Sequence, residues 1–315
     1  MSLIAYEYNI YEGGEVGQCD SWCEFEYSTD GMKTWNDYLI NSTDDKDKII
    51  QLDNCENKTV YFQAKYGDTE DNPNRNGLAD YTYNEAYDYY SLNKYHRFVM
   101  EGSIKASGNI QFLLDNTGSR TDVPMLCYNN MFKGCTSLTQ TPELPATTLA
   151  YACYRHMFFN CSALTQAPEL PATTLAVGCY EEMFANCTSL TQAPELPATT
   201  LAERCYYNMF SGCSSLTQAP ELPATTLADL CYGSMFSGCS SLTQAPELPA
   251  TTLAERCYYN MFWRCTALTQ ASFPNLEKET VATEVVESQD TFYDAATDIE
   301  TTCKDGILII NSTKA

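Results

Sequence analysis

An α/β solenoid of leucine-rich type, built from six copies of a 26-residue repeat and preceded by a small all-β, sandwich-like domain, is the fold this sequence predicts. Three observations predict it. Cys127, Cys153, Cys179, Cys205, Cys231 and Cys257 recur at one interval, and Cys135, Cys161, Cys187, Cys213, Cys239 and Cys265 at the same interval, so each copy reads CYxxMFxxC followed by xxLTQAPELPATTLAxx. A fixed period of roughly 20 to 30 residues with leucines and one short strand per unit is the signature of a leucine-rich solenoid. Each unit is too small to bury its own apolar face, so copies must stack and share one core. The first hundred residues lack the repeat and read as short strands separated by turn signals.

In chain order, CEFEYS, the turn Asp30–Gly31 and KTWNDYLI read as a hairpin, and KTVYFQAKYG as a later strand. Acidic or Asn-rich loops lie between them, which favours a β-sandwich over residues 1–100. Arg97–Ile104 and Asn109–Leu114 are two further apolar, strand-like runs that form the N-terminal cap of a solenoid spanning 101–275. Within one copy, Leu216, Ala219 and Leu222 are expected to face inward from the strand side. Pro220 and Pro223 cannot donate ladder hydrogen bonds, so the strand is short and ends near Glu221. Leu227 and Cys231 fill the return, and Met235 with Phe236 marks a short helical turn that plugs the far side. Gly238, like Gly134, Asn160, Asn186 and Gly212, closes that turn in a left-handed conformation that Gly and Asn tolerate. After Gln270 the pattern decays. Phe273, Leu276 and Val286 keep partial register, TFYDAATD resembles a degraded MF segment and GILII a final strand, so 276–315 is expected to be a degenerate capping repeat.

GCSSLTQAPELP and CYxxMFxGC resemble the BspA-like leucine-rich repeats of bacterial surface proteins, whose units carry AFxxC, a leucine shortly after and a strand ending in proline. This chain departs from that pattern in a Met for the Ala and in about three extra residues around ELPATTLA, with the hydrophobic spacing still in step beyond them. The resemblance covers roughly Cys127 to Gln270. YSTDGMKTW is similar, more weakly, to the small β domain that often precedes such repeats in gut bacterial proteins. The resemblance implies a non-enzymatic surface or adhesion role in recognising a protein or glycan.

The 41 acidic against 18 basic residues give a formal net charge of −23, which repels phosphate backbones and anionic lipid. Nucleic acid and membrane surfaces are therefore poor partners. No apolar run approaches the roughly 18 residues that cross a bilayer, and Met1–Asn9 lacks the basic start and apolar stretch of a signal peptide. The expectation is that an export signal was removed, placing the protein outside the cell or at its surface, or that it acts where none is needed, in the cytoplasm or a virus particle. Of the sixteen cysteines, twelve occupy repeat positions. C-x7-C places two thiols too far apart for a disulfide, so two columns of buried, reduced cysteines are expected. Cys19, Cys23, Cys55 and Cys303 lie outside the array, with their pairing open. Metal and cofactor sites are not expected: C-x2-C pairing is absent, the only histidines are His96 and His156, and Asn72-x-Asn74-x-Asn76-Gly77 has Tyr83 where a calcium loop needs a bidentate Glu. No nucleophile, phosphate-loop or HExxH motif occurs, and catalysis is not expected.

Two surfaces are candidate binding faces. The strand edge repeats Thr165-Gln166, Thr191-Gln192 and Thr217-Gln218, with Glu143, Glu169, Glu195, Glu221 and Glu247 beside them, as columns about 4.8 Å apart. Such columns serve either to hold the stack through side-chain hydrogen bonds or to match a repeating ligand such as a polysaccharide. Variation collects instead on the helical edge, at Arg155-His156, Glu203-Arg204, Tyr207 and Trp263-Arg264, where Trp263 is the leading single candidate for a specificity contact. The functional expectation is a binding or adhesion protein at a bacterial surface; the alternative is a structural or receptor-binding component of a phage particle.

Overall fold

The computed structural model describes residues 2–9, 14–19, 23–40, 50–67, 69–70, 72–84, 89–276, 299–304 and 307–312. Among the described residues, seven strands lie before residue 100: β1 (Ser2–Asn9), β2 (Gly14–Cys19), β3 (Phe25–Ser28), β4 (Asn36–Tyr38), β5 (Tyr61–Ala64), β6 (Ala79–Asn84) and β7 (Tyr89–Val99). They form two antiparallel sheets, ordered β2-β1-β7-β6 and β4-β3-β5. The β3–β4 turn is organised by Asp30, whose carboxylate accepts hydrogen bonds from the Ser28 hydroxyl (2.8 Å), the Thr34 amide (3.0 Å) and the Thr34 hydroxyl (2.6 Å). The Asn-rich loop braces the interior. Asn72 and Asn74 are buried, and their amides donate to Leu114 O at 2.8 Å and Leu113 O at 3.0 Å. Cys23 and Cys55 are buried thiols outside any disulfide, donating to Gly77 O and Gln51 O.

The core does not stop at residue 100. Tyr27, Tyr38, Phe62 and Phe98 form an edge-to-face chain of rings, and Phe98, at the end of β7, then stacks flat on Phe132 at 5.1 Å. Phe98 thus takes the phenylalanine position of a copy that has no repeat signature of its own. The chain continues through β8 (Ile104–Lys105) and β9 (Asp122–Val123), which pair in parallel with β10 (Leu138–Gln140) and β11 (Thr148–Leu149) of the first copy. Between them, residues Ile110–Leu113 form a 3-10 turn and not the strand their apolar run suggests, because the Asn109 side chain accepts the Gln111 amide at 2.8 Å and starts a turn.

The six copies stack in register. Parallel bridges join Gln166 to Gln192 to Gln218, and Thr148 to Thr174, Thr200, Thr226 and Thr252. PELPAT is extended, with Pro142, Leu144 and Ala146 buried while Glu143, Pro145 and Thr147 are exposed. Leu216 and Leu222 are buried as expected, whereas Ala219 is half-buried. Two aromatic columns run through the core. Phe132, Phe158, Phe184, Phe210, Phe236 and Phe262 form one, and Tyr128, Tyr154, Tyr180, Tyr206, Tyr232 and Tyr258 the other. The Tyr column ends edge-on against Phe273, and its first hydroxyl donates to Gln111 Oε1 at 2.8 Å.

The expected helical turn is absent: no α-helix occurs among the described residues, and CYxxMFxxC is a run of linked β-turns. In the fourth copy the amides of Cys205, Tyr207, Met209, Ser211 and Cys213 fold back to the carbonyl three residues earlier. The alternating amides of Arg204, Tyr206, Asn208, Phe210 and Gly212 reach instead to Asp229, Cys231, Gly233, Met235 and Ser237 of the next copy, at 2.7–3.1 Å. Each turn needs a left-handed residue every fourth position, and φ is +53°, +54° and +74° at Arg204, Asn208 and Gly212. Both edges of a copy are therefore tied to the next by backbone hydrogen bonds.

Cysteine suits the second thiol column for a specific reason. Phe132 O already accepts the Cys135 amide, and its second lone pair takes the Cys161 thiol at 3.1 Å; the same pair of bonds recurs up to Cys265. A small apolar side chain with a weak donor fills the space and satisfies that carbonyl. All twelve repeat cysteines are buried and none is in a disulfide, and burial pushes Cys187 and Cys265 up to about 12. They are inert thiols by environment.

At the far end, β12 (Gln270–Ser272) bridges to Glu247 on one side. On its other side it pairs antiparallel with β14 (Ile307–Ser312), which pairs with β13 (Ile299–Lys304). The GILII strand is thus β14, covering the last open ladder. TFYDAATD and Val286 lie outside the described residues.

Candidate functional site

The turn edge carries the variable residues, and most of its polar groups are committed to neighbouring copies. Glu181 is 5% exposed and sits between Arg155 (3.3 Å) and Arg204 (2.8 Å), from the copies on either side. One position along, His156 Nε2 lies 3.2 Å from Glu182, which also accepts Asn208 Nδ2 at 3.3 Å. Burial works to raise the Glu182 carboxyl, but His156, Asn208 and Arg155 outweigh it and hold it below the ordinary range. A charge ladder, Arg155–Glu181–Arg204, and a polar one, His156–Glu182–Asn208, thus run through copies two to four. Variation that reads in the sequence as relaxed constraint is complementarity between neighbours, and it distinguishes copies that are otherwise nearly interchangeable.

Arg204 also lies 4.5 Å over the Tyr207 ring, and Arg264 lies 4.3 Å over Trp263. Arg155, His156, Arg204, Tyr207 and Trp263 are each half-buried; only Glu203 and Arg264 are exposed. Trp263 is therefore not the open aromatic anchor expected from its position, because the neighbouring guanidinium stacks on its face and the indole nitrogen is buried without a hydrogen-bond partner. Glu181→Gln is expected to cost about 1 kcal/mol, since both guanidinia remain partly solvated. A double-mutant cycle with Arg204→Gln should give a coupling above about 0.5 kcal/mol by denaturant melts; additive changes would mean the ladder holds nothing.

The ladder edge is different. Thr165, Gln166, Thr191, Gln192, Thr217 and Gln218 are all exposed, as are Glu169, Glu195 and Glu221 and the prolines Pro171, Pro197 and Pro223. Some threonines hold the stack: Thr139 Oγ1 donates to Ile104 O at 3.2 Å, Thr191 to Thr165 O at 3.3 Å and Thr269 to Thr243 O at 3.4 Å. The glutamines and glutamates do not. Among the described residues, the side chains of Gln166, Gln192, Gln218 and Gln244 and of Glu169, Glu195, Glu221 and Glu247 make no hydrogen bond or ion pair. The five cations between residues 127 and 276, Lys133, Arg155, Arg204, Arg256 and Arg264, all belong to the turn segments, leaving the ladder segments purely acidic.

No group of three or more metal-ligating side chains occurs among the described residues, and none of their helices is long and apolar enough to cross a membrane. No protein-family model, curated protein or solved structure matches the chain.

Proposed function

We propose that this protein is a non-enzymatic binding or adhesion module, a leucine-rich-type solenoid of the BspA-like kind, that recognises an extended ligand through the ladder edge of its array. One observation carries the reading: exposed Gln and Glu columns repeat unchanged while making no bond within the fold, whereas the half-buried turn edge varies. Both edges share one duplication history, so drift alone does not leave the exposed one constant. Stacked carboxylates about 5 Å apart repel by roughly 0.8 kcal/mol per neighbouring pair even in water, a cost with no structural return. The straight stack, with rings 5.5–6.1 Å apart and tilted by only 3–8° through the central copies, supports a ligand with a linear repeat. A place at a cell surface follows from the same reading. A fibre-like part of a virus particle is the alternative, supported by the same rigid shape. The full chain screened on protein and glycan arrays is expected to give saturable binding to a repeating polymer that strengthens with polymer length. Saturable binding confined to compact globular proteins, or none, would contradict the proposal.

A further inference from the structure

We infer that the ladder edge is built for a linear β-linked glycan bearing free amino groups, laid along the stack with about one sugar per copy. This rests on the binding reading of that edge and adds the ligand's chemistry. Charge is the first ground. The ladder segments present Glu143, Glu169, Glu195, Glu221 and Glu247 with no lysine or arginine, on a chain of net charge −23, so an anionic polymer is repelled and a polymer bearing ammonium groups is attracted.

Spacing is the second ground. Copies joined by parallel bridges advance about 4.8 Å each, so every second copy recurs at about 9.6 Å, and an extended β-1,4-linked glycan, whose successive sugars face opposite ways, repeats the same face every two sugars at a closely similar distance. A basic peptide strand does not match, because its same-face side chains recur at about 6.8 Å, two residues of about 3.4 Å each. A cationic peptide can therefore meet the carboxylates only out of step.

The third ground is the donor and acceptor set within each copy. Glu195 accepts only, Gln192 offers both a carbonyl and an amide, Thr199 and Thr200 offer hydroxyls, and Pro197 offers an apolar ring; all five are exposed within one copy. A sugar presents the matching groups: hydroxyls that donate and accept, an ammonium, and C–H faces that pack on an apolar ring. The glutamine amides and glutamate carboxylates have no partner among the described residues, so binding displaces water only and breaks nothing in the fold.

The test uses the full chain and hexaglucosamine at mildly acidic pH and low salt, with calorimetry as readout. Hexaglucosamine is expected to bind and to weaken as salt rises. Its fully N-acetylated counterpart and hexalysine are each expected to bind at least tenfold more weakly. Glu→Gln at one of positions 169, 195 or 221 should weaken binding about two- to fivefold, and E169Q/E195Q/E221Q more than tenfold. The triple variant should melt at the same temperature as the parent or higher, because it relieves like-charge repulsion. A lower melting temperature would make the column structural and overturn the inference. Equal binding of the acetylated hexamer would remove the ammonium from the account, and equal binding of hexalysine would remove the sugar. Absence of hexaglucosamine binding overturns the inference alone if the arrays still give a polymer whose binding E169Q/E195Q/E221Q weakens. Should every ligand found bind the triple variant as well as the parent, the ladder-edge reading itself fails.

Discussion

Phe210→Ala is expected to destabilise the protein by about 3 to 5 kcal/mol, read as a fall in the denaturant midpoint at unchanged slope. Phe210 is fully buried and stacked between Phe184 at 5.7 Å and Phe236 at 5.9 Å, so its loss opens a cavity in mid-column that neither neighbour can fill while its own backbone is pinned. Its amide donates to Met235 of the next copy at 2.9 Å and its carbonyl accepts Cys239 Sγ at 3.2 Å. Damage should therefore spread, with hydrogen-exchange protection falling in the copies on both sides. Exposed Thr217→Ala, by comparison, should stay within about 0.5 kcal/mol. A loss under about 1 kcal/mol for Phe210→Ala, or protection lost in that copy alone, would mean the copies are not coupled through the column.

Acid is expected to destabilise the β sheets through one residue. His96 is 1% exposed, edge-on to Phe25 at 5.4 Å, with Nδ1 2.8 Å from Leu78 O; since a carbonyl only accepts, Nδ1 carries the proton of the neutral ring. Burial pulls its pKa from 6.5 down to about 4, with the Leu78 bond opposing. Between those values the unfolded chain takes up a proton that the folded protein refuses. The contribution is complete above pH 6.5 and is lost as pH falls toward 4. Its full size is on the order of 3 kcal/mol, of which about 2 falls between pH 7 and pH 5. His96→Gln should lower stability at pH 7 yet flatten that slope. An equal slope in the variant would place the acid sensitivity elsewhere.

Much of the array was legible in the sequence because a 26-residue period with Cys, Tyr, Met, Phe and Leu at fixed places leaves few ways to bury them. The left-handed Gly134, Asn160, Asn186, Gly212 and Gly238 were legible for the same reason. The helical turn was misread because Cys205, Tyr206, Met209, Phe210 and Cys213 fall at a spacing of four that nine residues cannot separate from 3.6. Leu126, His156, Glu182 and Arg204 also adopt positive φ, and side chains of those types give no local sign of it. Phe98 was invisible as a column member because only the rings it touches define it. At the candidate site, the Thr, Gln and Glu columns could be read off, but whether they bond to one another could not, since that depends on rotamers. For Trp263, what covers its ring was equally beyond a linear reading.

Carboxyl footprinting of the full chain with and without hexaglucosamine tests the central claim most directly, because exposed carboxylates lie on both edges of the array. The account expects Glu169, Glu195 and Glu221 on the ladder edge to lose labelling when the glycan is bound, while exposed Glu203, Asp229 and Glu255 on the turn edge keep theirs. Protection of Glu203, Asp229 and Glu255 with the ladder glutamates unchanged would contradict it.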